Sequence, residues 1–367
     1  MNKNFDKTKK IIILHDYFLY KGGGERLVIS MAKHLGADIA TAFIAKDAFD
    51  PRTEIKGKVF ELFSENIFSK IPGFRFVQVQ LSFLFKTKFL KKYDIVIHSG
   101  DTLFAWLRSK KQTHIAYMHT PPRHLFDCYK ERLAEYGLIK KVIFIPFAWI
   151  NRPRFRYLSS KMDKILTNSV NTQKRIKKYL HLESTVVYPP CDTLPFKDLG
   201  SDGYFFSWAR LYEIKRVHMI VKAFQKMSDK KLVVASGGPE LERIQKMATD
   251  YPNIKVLGWI SDEELIDYLG KSLATIYIPI REDFGMSPVE SMTAGKPVIG
   301  SKEGGLLEII EDGKNGLFLP NNFNVEDIRT AVKKMTQQKV MEMKEYCFKT
   351  AGKFTDEKFK ENLEKEL

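Results

Sequence analysis

Short apolar runs that alternate with amphipathic stretches dominate the pattern of this chain. In the first half these runs lie at residues 11–14, 95–98, 115–117 and 165–167. In the second half they recur more regularly, at residues 204–208, 232–235, 255–257, 275–278 and 297–300. Short apolar runs between helical stretches are typical of buried parallel strands. The pattern therefore predicts an α/β protein built on doubly wound parallel sheets.

The length of the chain predicts two domains. At 367 residues it is about twice the usual domain size. A Pro- and Gly-containing stretch at residues 189–203 is the best boundary. We expect an N-terminal domain over residues 1–195, a C-terminal domain over residues 201–350, and a terminal amphipathic helix within residues 351–367 that can return to the N-terminal domain. Ligands of such proteins bind at the carboxyl ends of strands, so we expect a site in a central cleft.

Two Ser-x-x-Glu patterns predict where helices begin. They start at Ser261 and Ser287, and each would form a capping box. The second follows residues 284–287, a tight loop whose free backbone amides would favour a phosphate. Glu282 lies on the same loop. The alternative is that Glu290 only caps the helix and that Glu282 is a solvated carboxylate.

The excess of positive charge is confined to the first half of the chain. The net charge is +16, and residues 1–200 contain 35 Lys and Arg against 18 Asp and Glu. This distribution implies an anionic partner, either nucleic acid, an anionic membrane or a phosphorylated substrate. The alternative is a surface that only keeps the protein in solution. The sequence contains no standard nucleic-acid-binding module, so we expect no nucleic acid as partner.

The composition of the chain excludes several classes of protein. A hydrophobic content of 44% argues against disorder, and three well-separated cysteines argue against a disulfide framework. No apolar run approaches the roughly 20 residues of a membrane-spanning helix. We therefore expect a soluble, cytoplasmic protein. The sequence has no D-x-D triplet, HExxH motif, Cys/His cluster or Walker A motif, so we expect no metal.

Glu282 and Glu290 are separated by seven residues, and Gly295-Lys-Pro-Val follows them. This spacing resembles the E-x7-E signature of the retaining glycosyltransferase family 4, and specifically its mannosyltransferase branch in O-antigen-type polysaccharide synthesis. Further segments resemble landmarks of that family in the same order, at residues 117–123, 188–192, 209–215, 237–239, 304–308 and 313–316. Ala209 stands where the family usually has glycine. The resemblance implies the GT-B fold, in which two Rossmann-like domains face a cleft. It also implies that the N-terminal domain (1–195) binds the acceptor and the C-terminal domain (201–350) binds the nucleotide-sugar.

The resemblance also implies roles for single residues. Arg210 and Lys215 would bind the diphosphate of a nucleotide-sugar, Glu282 and His119 would contact the donor sugar, and Glu290 would bind the ribose. The catalytic residues are then His119, Arg210, Lys215 and Glu282, and the nucleotide-sugar-binding residues are Gly23, Gly24, Phe284, Gly285, Met286 and Glu290. From the residues alone, Arg210 and Lys215 could equally be surface cations, His119 a structural histidine, and the triple glycine at 22–24 a plain turn.

The expected reaction is retaining transfer of a hexose, with mannose from GDP-mannose as the first choice, to a glycan or polyprenyl-diphosphate-linked acceptor. A UDP-sugar is the alternative donor, and a GT-B protein that binds nucleotide-sugars without transfer is the other alternative. We expect no cofactor, because cationic side chains can replace a metal.

Aromatic and basic residues alternate at residues 75–92 and 152–161. Such segments suit the surface of an anionic membrane, so we expect peripheral contact with the inner face of the cell membrane. The alternative is that these aromatics are core residues.

Overall fold

The computed structural model describes residue 6 and residues 8–20, 22–192 and 194–367. The chain divides into two compact units. Unit 1 comprises Met1–Tyr188 together with Lys360–Leu367, and unit 2 comprises Pro189–Phe359. Each unit contains one parallel sheet with helices connecting its strands.

The sheet of unit 1 has seven parallel strands among the described residues. They are β1 (Ile11–His15), β2 (Asp38–Thr41), β3 (Val59–Glu61), β4 (Ile95–Ser99), β5 (Thr113–Met118), β6 (Lys164–Thr167) and β7 (Thr185–Val186). Their order in the sheet is β3-β2-β1-β4-β5-β6-β7. The direction of winding therefore reverses between β1 and β4, which is where ligands of doubly wound sheets bind.

Helices of unit 1 connect these strands. They are α1 (Gly23–Leu35), α2 (Pro51–Glu54), α3 (Ile67–Lys70), α4 (Pro72–Phe85), α5 (Tyr129–Glu135), α6 (Leu138–Ser159) and α7 (Val170–Leu180). Short 3-10 turns occupy Lys88–Lys92 and Leu103–Arg108. At least one helical segment thus separates each strand of unit 1 from the next strand along the chain, as parallel pairing requires.

Unit 2 has the same kind of sheet. Its strands are β8 (Tyr204–Ser207), β9 (Lys231–Ala235), β10 (Ile254–Gly258), β11 (Ala274–Tyr277), β12 (Val298–Ser301) and β13 (Gly316–Leu319). They are all parallel in the order β10-β9-β8-β11-β12-β13. The winding reverses here between β8 and β11.

The helices of the second half complete the fold. They are α8 (Val217–Phe224), α9 (Leu241–Ala248), α10 (Asp262–Lys271), α11 (Met286–Thr293), α12 (Val325–Lys334), α13 (Gln337–Ala351) and α14 (Asp356–Lys365), with 3-10 turns at Glu213–Lys215 and Gly304–Glu308. The division between the units falls within α14, since residues from Lys360 onward group with unit 1. In unit 1 the Lys164 ammonium donates to the carbonyl oxygen of Glu366 over 2.6 Å.

The predicted apolar runs form the central strands of both sheets. All residues of β1 and β4 are buried, and so are all residues of β8, β11 and β12. A strand buried on both faces shows a continuous apolar run instead of alternation, which is why these strands could be read from the sequence. The α/β class with parallel sheets is confirmed.

One of the two predicted capping boxes is present. Glu264 N donates to Ser261 Oγ over 3.1 Å, and Ser261 N donates to Glu264 Oε2 over 2.9 Å, so α10 begins as predicted. The prediction for Ser287 is wrong. Helix α11 begins at Met286 with Gly285 as its N-cap, which has a φ of 106°. Glycine reaches that conformation without strain, so the helix begins before Ser287.

The two long surface helices of unit 1 expose apolar side chains. On α6, Leu138, Ile139, Val142 and Trp149 are 73–82% exposed, and α4 exposes Phe74 at 59%. The alternative, that the aromatics near α4 are core residues, holds for some of them, such as Phe83, which is fully buried. No helix within the described ranges is long and apolar enough to cross a bilayer.

Candidate functional site

Three polar side chains of unit 2 meet where the winding of its sheet reverses. Lys215 ends the 3-10 turn that follows β8, Tyr277 ends β11, and Glu282 lies on the next loop. The Lys215 ammonium lies 2.5 Å from Glu282 Oε2 and donates to the Tyr277 hydroxyl over 2.9 Å. The Tyr277 hydroxyl donates to the same Glu282 oxygen over 2.9 Å. We call this group the Lys215–Tyr277–Glu282 cluster.

The cluster holds its lysine and glutamate in their charged forms. Burial lowers the pKa of Lys215, but Tyr277 and Glu282 outweigh it and raise that pKa above its usual value. Burial raises the pKa of Glu282, but the Lys215 charge and the hydrogen bonds from Lys215 and Tyr277 bring it below its usual value. Burial, with Glu282 beside it, raises the pKa of Tyr277. The phenol is therefore a neutral hydrogen-bonding group between two charges.

Gly304 and Gly305 pack closely against the backbone of the loop that carries Glu282. Gly305 N donates to the carbonyl oxygen of Glu282 over 2.9 Å. A Cβ atom on Gly304 would lie 2.3 Å from that oxygen, and one on Gly305 would lie 2.4 Å from the Cα of Phe284. These distances are far shorter than any real contact, so the loop holds its position only with glycine at both places.

The other predicted residues of unit 2 lie on the same two connections. Arg210 is half-buried on the segment after β8. Phe284, Gly285 and Met286 end the loop after β11 and begin α11. The Phe284 ring is 2% exposed and packs against Phe354, with ring centroids 5.4 Å apart. Its side chain thus belongs to the core of unit 2, and only its backbone is left for a ligand.

Glu290 lies inside α11 and is 9% exposed. It does not cap the helix, because α11 begins four residues before it. Burial, followed by the charge of Glu290, raises the pKa of the nearby Cys191 thiol well above its usual range. The structure therefore places Glu290 as a buried carboxylate close to Cys191, and its role toward ribose stays a prediction.

In unit 1, His119 belongs to a chain of three polar side chains. Its Nε2 lies 3.0 Å from Ser99 Oγ, and Ser99 Oγ lies 3.2 Å from His15 Nδ1. Burial, together with the nearby His15, lowers the pKa of His119 to about 4. His119 is therefore a neutral hydrogen-bonding group at neutral pH and does not supply a charge.

His119 lines a cavity of about 400 Å³ that lies within unit 1, at the carboxyl ends of β1, β4 and β5. Gly24 also lines this cavity, next to Gly23, which begins α1, and a Cβ atom on Gly24 would lie 3.9 Å from the His119 ring. The structure thus brings together His119 and Gly24, which were predicted from separate motifs.

Sequence reasoning missed three residues of these sites. Tyr277 lies within the predicted strand at residues 275–278, where its side chain is expected in the core. Asp16 and Asp101, which also line the cavity, lie two and three residues after the ends of two predicted strands. A search for polar residues just after each predicted strand would have found both. Among the described residues, no group of His, Cys, Asp and Glu is arranged to hold a metal ion.

The chain resembles known proteins both in sequence and in structure. Residues 197–354 match the family described as Glycosyl transferases group 1. The α-1,3/1,6-mannosyltransferase ALG2 of Dictyostelium discoideum is 25% identical over 90% of each chain. The O-antigen chain mannosyltransferase RfbU of Salmonella typhimurium is 25% identical over 53% of this chain and 58% of its own.

The solved structure of HepE from Anabaena, in complex with UDP and glucose, superposes with a TM-score of 0.71. The two proteins are 16% identical, and the match covers 97% of this chain and 98% of HepE. This likeness concerns the fold of both halves of the chain. The group 1 match covers the part of unit 2 that carries the Lys215–Tyr277–Glu282 cluster. Taken together, the two parallel sheets and these matches identify the chain as a glycosyltransferase of the GT-B fold, and its residues 197–354 match the glycosyl transferases group 1 family.

Proposed function

We propose that this enzyme transfers mannose from GDP-mannose to a glycan acceptor with retention at the anomeric carbon. The observation that carries the proposal is the Lys215–Tyr277–Glu282 cluster. It lies at the switch point of the unit that matches the family. The similarity to two mannosyltransferases supports mannose as the sugar.

The proposed chemistry needs a cation next to the leaving group. As the bond between the anomeric carbon and the diphosphate breaks, negative charge grows on the diphosphate. Lys215 supplies a positive charge next to the diphosphate, and the Arg210 guanidinium can donate two hydrogen bonds to it. Together they take the place of a metal. The acceptor oxygen bonds to the anomeric carbon on the face that the diphosphate leaves. The acceptor proton passes to the departing diphosphate.

The neutral His119 and the ionised Glu282 suit a different task. Both are hydrogen-bonding groups whose pKa values keep them in one protonation state at neutral pH. In the proposed reaction they hold the hydroxyls of the donor sugar, while Glu290 holds the ribose. Orientation and electrostatic stabilisation then supply the rate, without a covalent enzyme intermediate or a cofactor.

A UDP-sugar is the second candidate donor. The solved structures of HepE contain UDP with glucose and UDP-glucose, and their fold covers nearly the whole chain. A fold is shared by enzymes with different donors, so this observation favours a nucleotide-sugar without choosing the base.

The test is nucleotide release from GDP-mannose and from UDP-glucose, with methyl α-D-mannopyranoside as acceptor. We expect turnover with GDP-mannose, an unchanged rate in EDTA, and an α-linked product by proton NMR. Lys215→Met should lower the rate about 100-fold or more. The exposed Lys222 of α8 gives the control Lys222→Met, which should behave like the parent. Turnover only with UDP-glucose, or a loss in EDTA that Mg²⁺ restores, would contradict the proposal.

We further propose that the enzyme meets a polyprenyl-diphosphate-linked acceptor at an anionic membrane. On α6, Val142 lies one helical turn after Leu138 and Trp149 two turns after Val142, while Ile139 directly follows Leu138. All four side chains leave most of their surface in water. Residues 138–160 include five Lys and Arg and no Asp or Glu. An apolar stripe flanked only by cations fits the boundary between anionic headgroups and acyl chains.

Helix α4 adds to this surface. The Phe76 ring of α4 packs against the Phe147 ring of α6, with centroids 5.2 Å apart. Phe74, Val77 and Phe85 of α4 are 49–59% exposed. Not every cation near α4 is available to lipid, since the Lys86 ammonium donates to the carbonyl oxygen of Leu62 over 2.7 Å. We call the exposed apolar side chains of α4 and α6 the apolar face of unit 1.

A further inference from the structure

Two arginines beside the Lys215–Tyr277–Glu282 cluster have a backbone conformation that favours glycine. Arg216 directly follows Lys215 and has a φ of 54°. Arg281 directly precedes Glu282 and has a φ of 49°. The left-handed region costs free energy for any residue with a side chain, so both arginines stay there only if neighbouring groups hold them. Strain of this kind is concentrated at functional sites.

The carboxylate of Glu303 bonds to both arginines. Glu303 follows β12 and directly precedes the 3-10 turn at Gly304–Glu308. Nη1 of Arg216 donates to its Oε1 over 3.0 Å, and the backbone N of Arg281 donates to its Oε2 over 3.0 Å. The side chains of Arg216 and Glu303 are 21% and 31% exposed, so water competes only in part for their bond. A single side chain therefore joins the loop after β8 to the loop after β11.

Further contacts fix the place from which Glu303 acts. Glu303 N donates to the carbonyl oxygen of Ser301 over 2.9 Å, and Ser301 Oγ donates to the carbonyl oxygen of Pro279 over 2.9 Å. The Arg216 guanidinium, at the other end of the ion pair, lies 4.9 Å from the centroid of the Phe323 ring. The carboxylate and the guanidinium thus have little freedom to follow a loop that moves.

Glu303 bonds to the sequence neighbours of the charged pair, and this decides what it can do. The main-chain bond from Ile280 N to the carbonyl oxygen of Ile214, 2.8 Å long, already fixes the spacing of the two loops. Glu303 adds a second link, which acts at the two residues with strained backbones. Because the φ and ψ of a residue set the direction of the next segment of chain, holding both arginines sets the directions of Lys215 and Glu282.

We propose that Glu303 is a positioning residue, which orients Lys215 and Glu282 toward the donor through the two arginines. The inference rests on the proposed transfer reaction. Lys215 has to meet the charge that develops on the diphosphate, and a misplacement of about 1 Å can lower a rate about 100-fold. Binding of the nucleotide is less demanding, because the flexible lysine side chain still reaches a diphosphate from a slightly displaced backbone. Glu303 therefore acts on the rate more than on the affinity.

The experiment uses Glu303→Gln, which keeps the size of the side chain but replaces one of the two accepting oxygens by a donor. We expect kcat and kcat/KM for GDP-mannose to fall together by about tenfold, while the Kd of GDP changes by less than about twofold. A purely structural role would lower the free energy of unfolding without separating kcat from this Kd. Arg216→Met removes the other end of the ion pair and should have the same effect. The double variant should be no slower than the slower single variant, since both changes remove one interaction.

The orientation of Lys215 is also measured without any nucleotide, by NMR of the full chain with isotope-labelled lysine. Lys215→Met identifies the ε-methylene signal of Lys215, and Glu303→Gln should shift that signal. The control is Glu311→Gln, which breaks an exposed ion pair with Lys314 in the same unit. It should leave both the signal and kcat like those of the parent.

An unshifted Lys215 signal in Glu303→Gln overturns the inference, and so does a Kd of GDP that rises as much as kcat falls. Failure of the proposed transfer reaction would look different. The parent would then release no nucleotide from GDP-mannose or UDP-glucose, while the Lys215 signal would still move in Glu303→Gln and not in Glu311→Gln.

Discussion

At the scale of single residues, the charges of the Lys215–Tyr277–Glu282 cluster are set before any ligand binds. The Lys215 and Glu282 side chains are only 20% and 17% exposed, so little water surrounds them. Their attraction offsets the cost of burying two charges, but either one alone would be an uncompensated buried charge. The arrangement thus ties local stability to the same groups that we assign to the reaction.

Removing one partner should therefore cost more stability than removing both. Lys215→Met is expected to lower the free energy of unfolding by roughly 2–3 kcal/mol, at the low end for a broken buried pair because some water remains. Adding Glu282→Leu should restore most of that loss without restoring nucleotide release. Urea denaturation measures the first effect and the release assay the second. A single variant as stable as the parent would show that Glu282 finds another partner.

The raised pKa of the Asp101 carboxyl group predicts that the stability of the protein depends on pH. Burial, and then the charge of Asp16, raises this pKa to about 7 in the folded chain against an ordinary value of 3.8, so the folded state binds the proton more tightly. Stability should fall as the pH rises from about 4 to 7, and the full penalty should persist above 7. Asp16, Glu25 and Arg75 also face this region and modify the midpoint.

Asp101→Asn should consequently raise the melting temperature more at pH 8 than at pH 5, because asparagine stays neutral at both. Thermal unfolding at the two pH values tests this, with Asp94→Asn as the control. The Asp94 carboxylate lies at the opposite end of β4, where it accepts from Lys10 N over 2.8 Å. An equal change at both pH values would mean that Asp101 ionises as readily in the folded chain as in the unfolded one.

The residues of the candidate site differ in how far the sequence could reveal them. Glu282 and Lys215 stand in motifs that resemble a family, so their positions could be named, but their direct contact could not. Tyr277 has a side chain that is common in buried strands, and nothing local distinguishes its hydroxyl. Asp16 and Asp101 meet only because β1 pairs with β4, and residues in these two strands are 84 positions apart. Pairing over that distance has no local signal.

At the scale of elements, two identical sequence patterns gave two different helix starts. Ser261 caps α10, whereas Ser287 lies inside α11, since Gly285 already provides the non-helical residue. The local pattern specifies which residue can cap a helix, but the conformation of the preceding loop decides which one does. Here the loop is fixed by its contact with Gly304 and Gly305.

The two serines make a matched pair of variants. Ser261→Ala should destabilise the protein by about 1 kcal/mol, the usual cost of losing an N-cap. Ser287→Ala should change stability by less than about half of that, because its hydroxyl does not cap the helix. Melting temperatures without ligand provide the comparison. Equal losses would mean that α11 begins at Ser287 in solution.

At the scale of the whole molecule, charge and apolar exposure concentrate in the same half of the chain. Residues 1–200 hold the excess positive charge, and unit 1 contains α4 and α6 with their apolar face. The excess positive charge alone could be explained as a surface that keeps the protein in solution. Its coincidence with several large apolar side chains in water is what favours a lipid surface as the partner.

The protein should therefore sediment with vesicles that contain phosphatidylglycerol but not with vesicles of phosphatidylcholine alone. Ile139→Asn, Val142→Asn and Trp149→Asn combined should abolish binding, and Lys140→Glu with Lys141→Glu should weaken it by about 1 kcal/mol per charge. Met341 of unit 2 is 69% exposed, so Met341→Asn is the control for loss of exposed apolar area. If the parent ignores anionic vesicles even at low salt, unit 1 does not bind membranes.

The ion pair at Lys215 also bears on how quickly nucleotides would be exchanged in the proposed reaction. A diphosphate that binds Lys215, as we propose, has to share the ammonium group with Glu282, which already lies 2.5 Å from it. The diphosphate therefore binds more weakly than it would to an unpaired lysine. When the nucleotide leaves, the Glu282 carboxylate neutralises the Lys215 charge again. The carboxylate thus works as an internal competitor of the product. Such a site binds the nucleotide less tightly but releases it faster, and product release often limits the turnover of an enzyme.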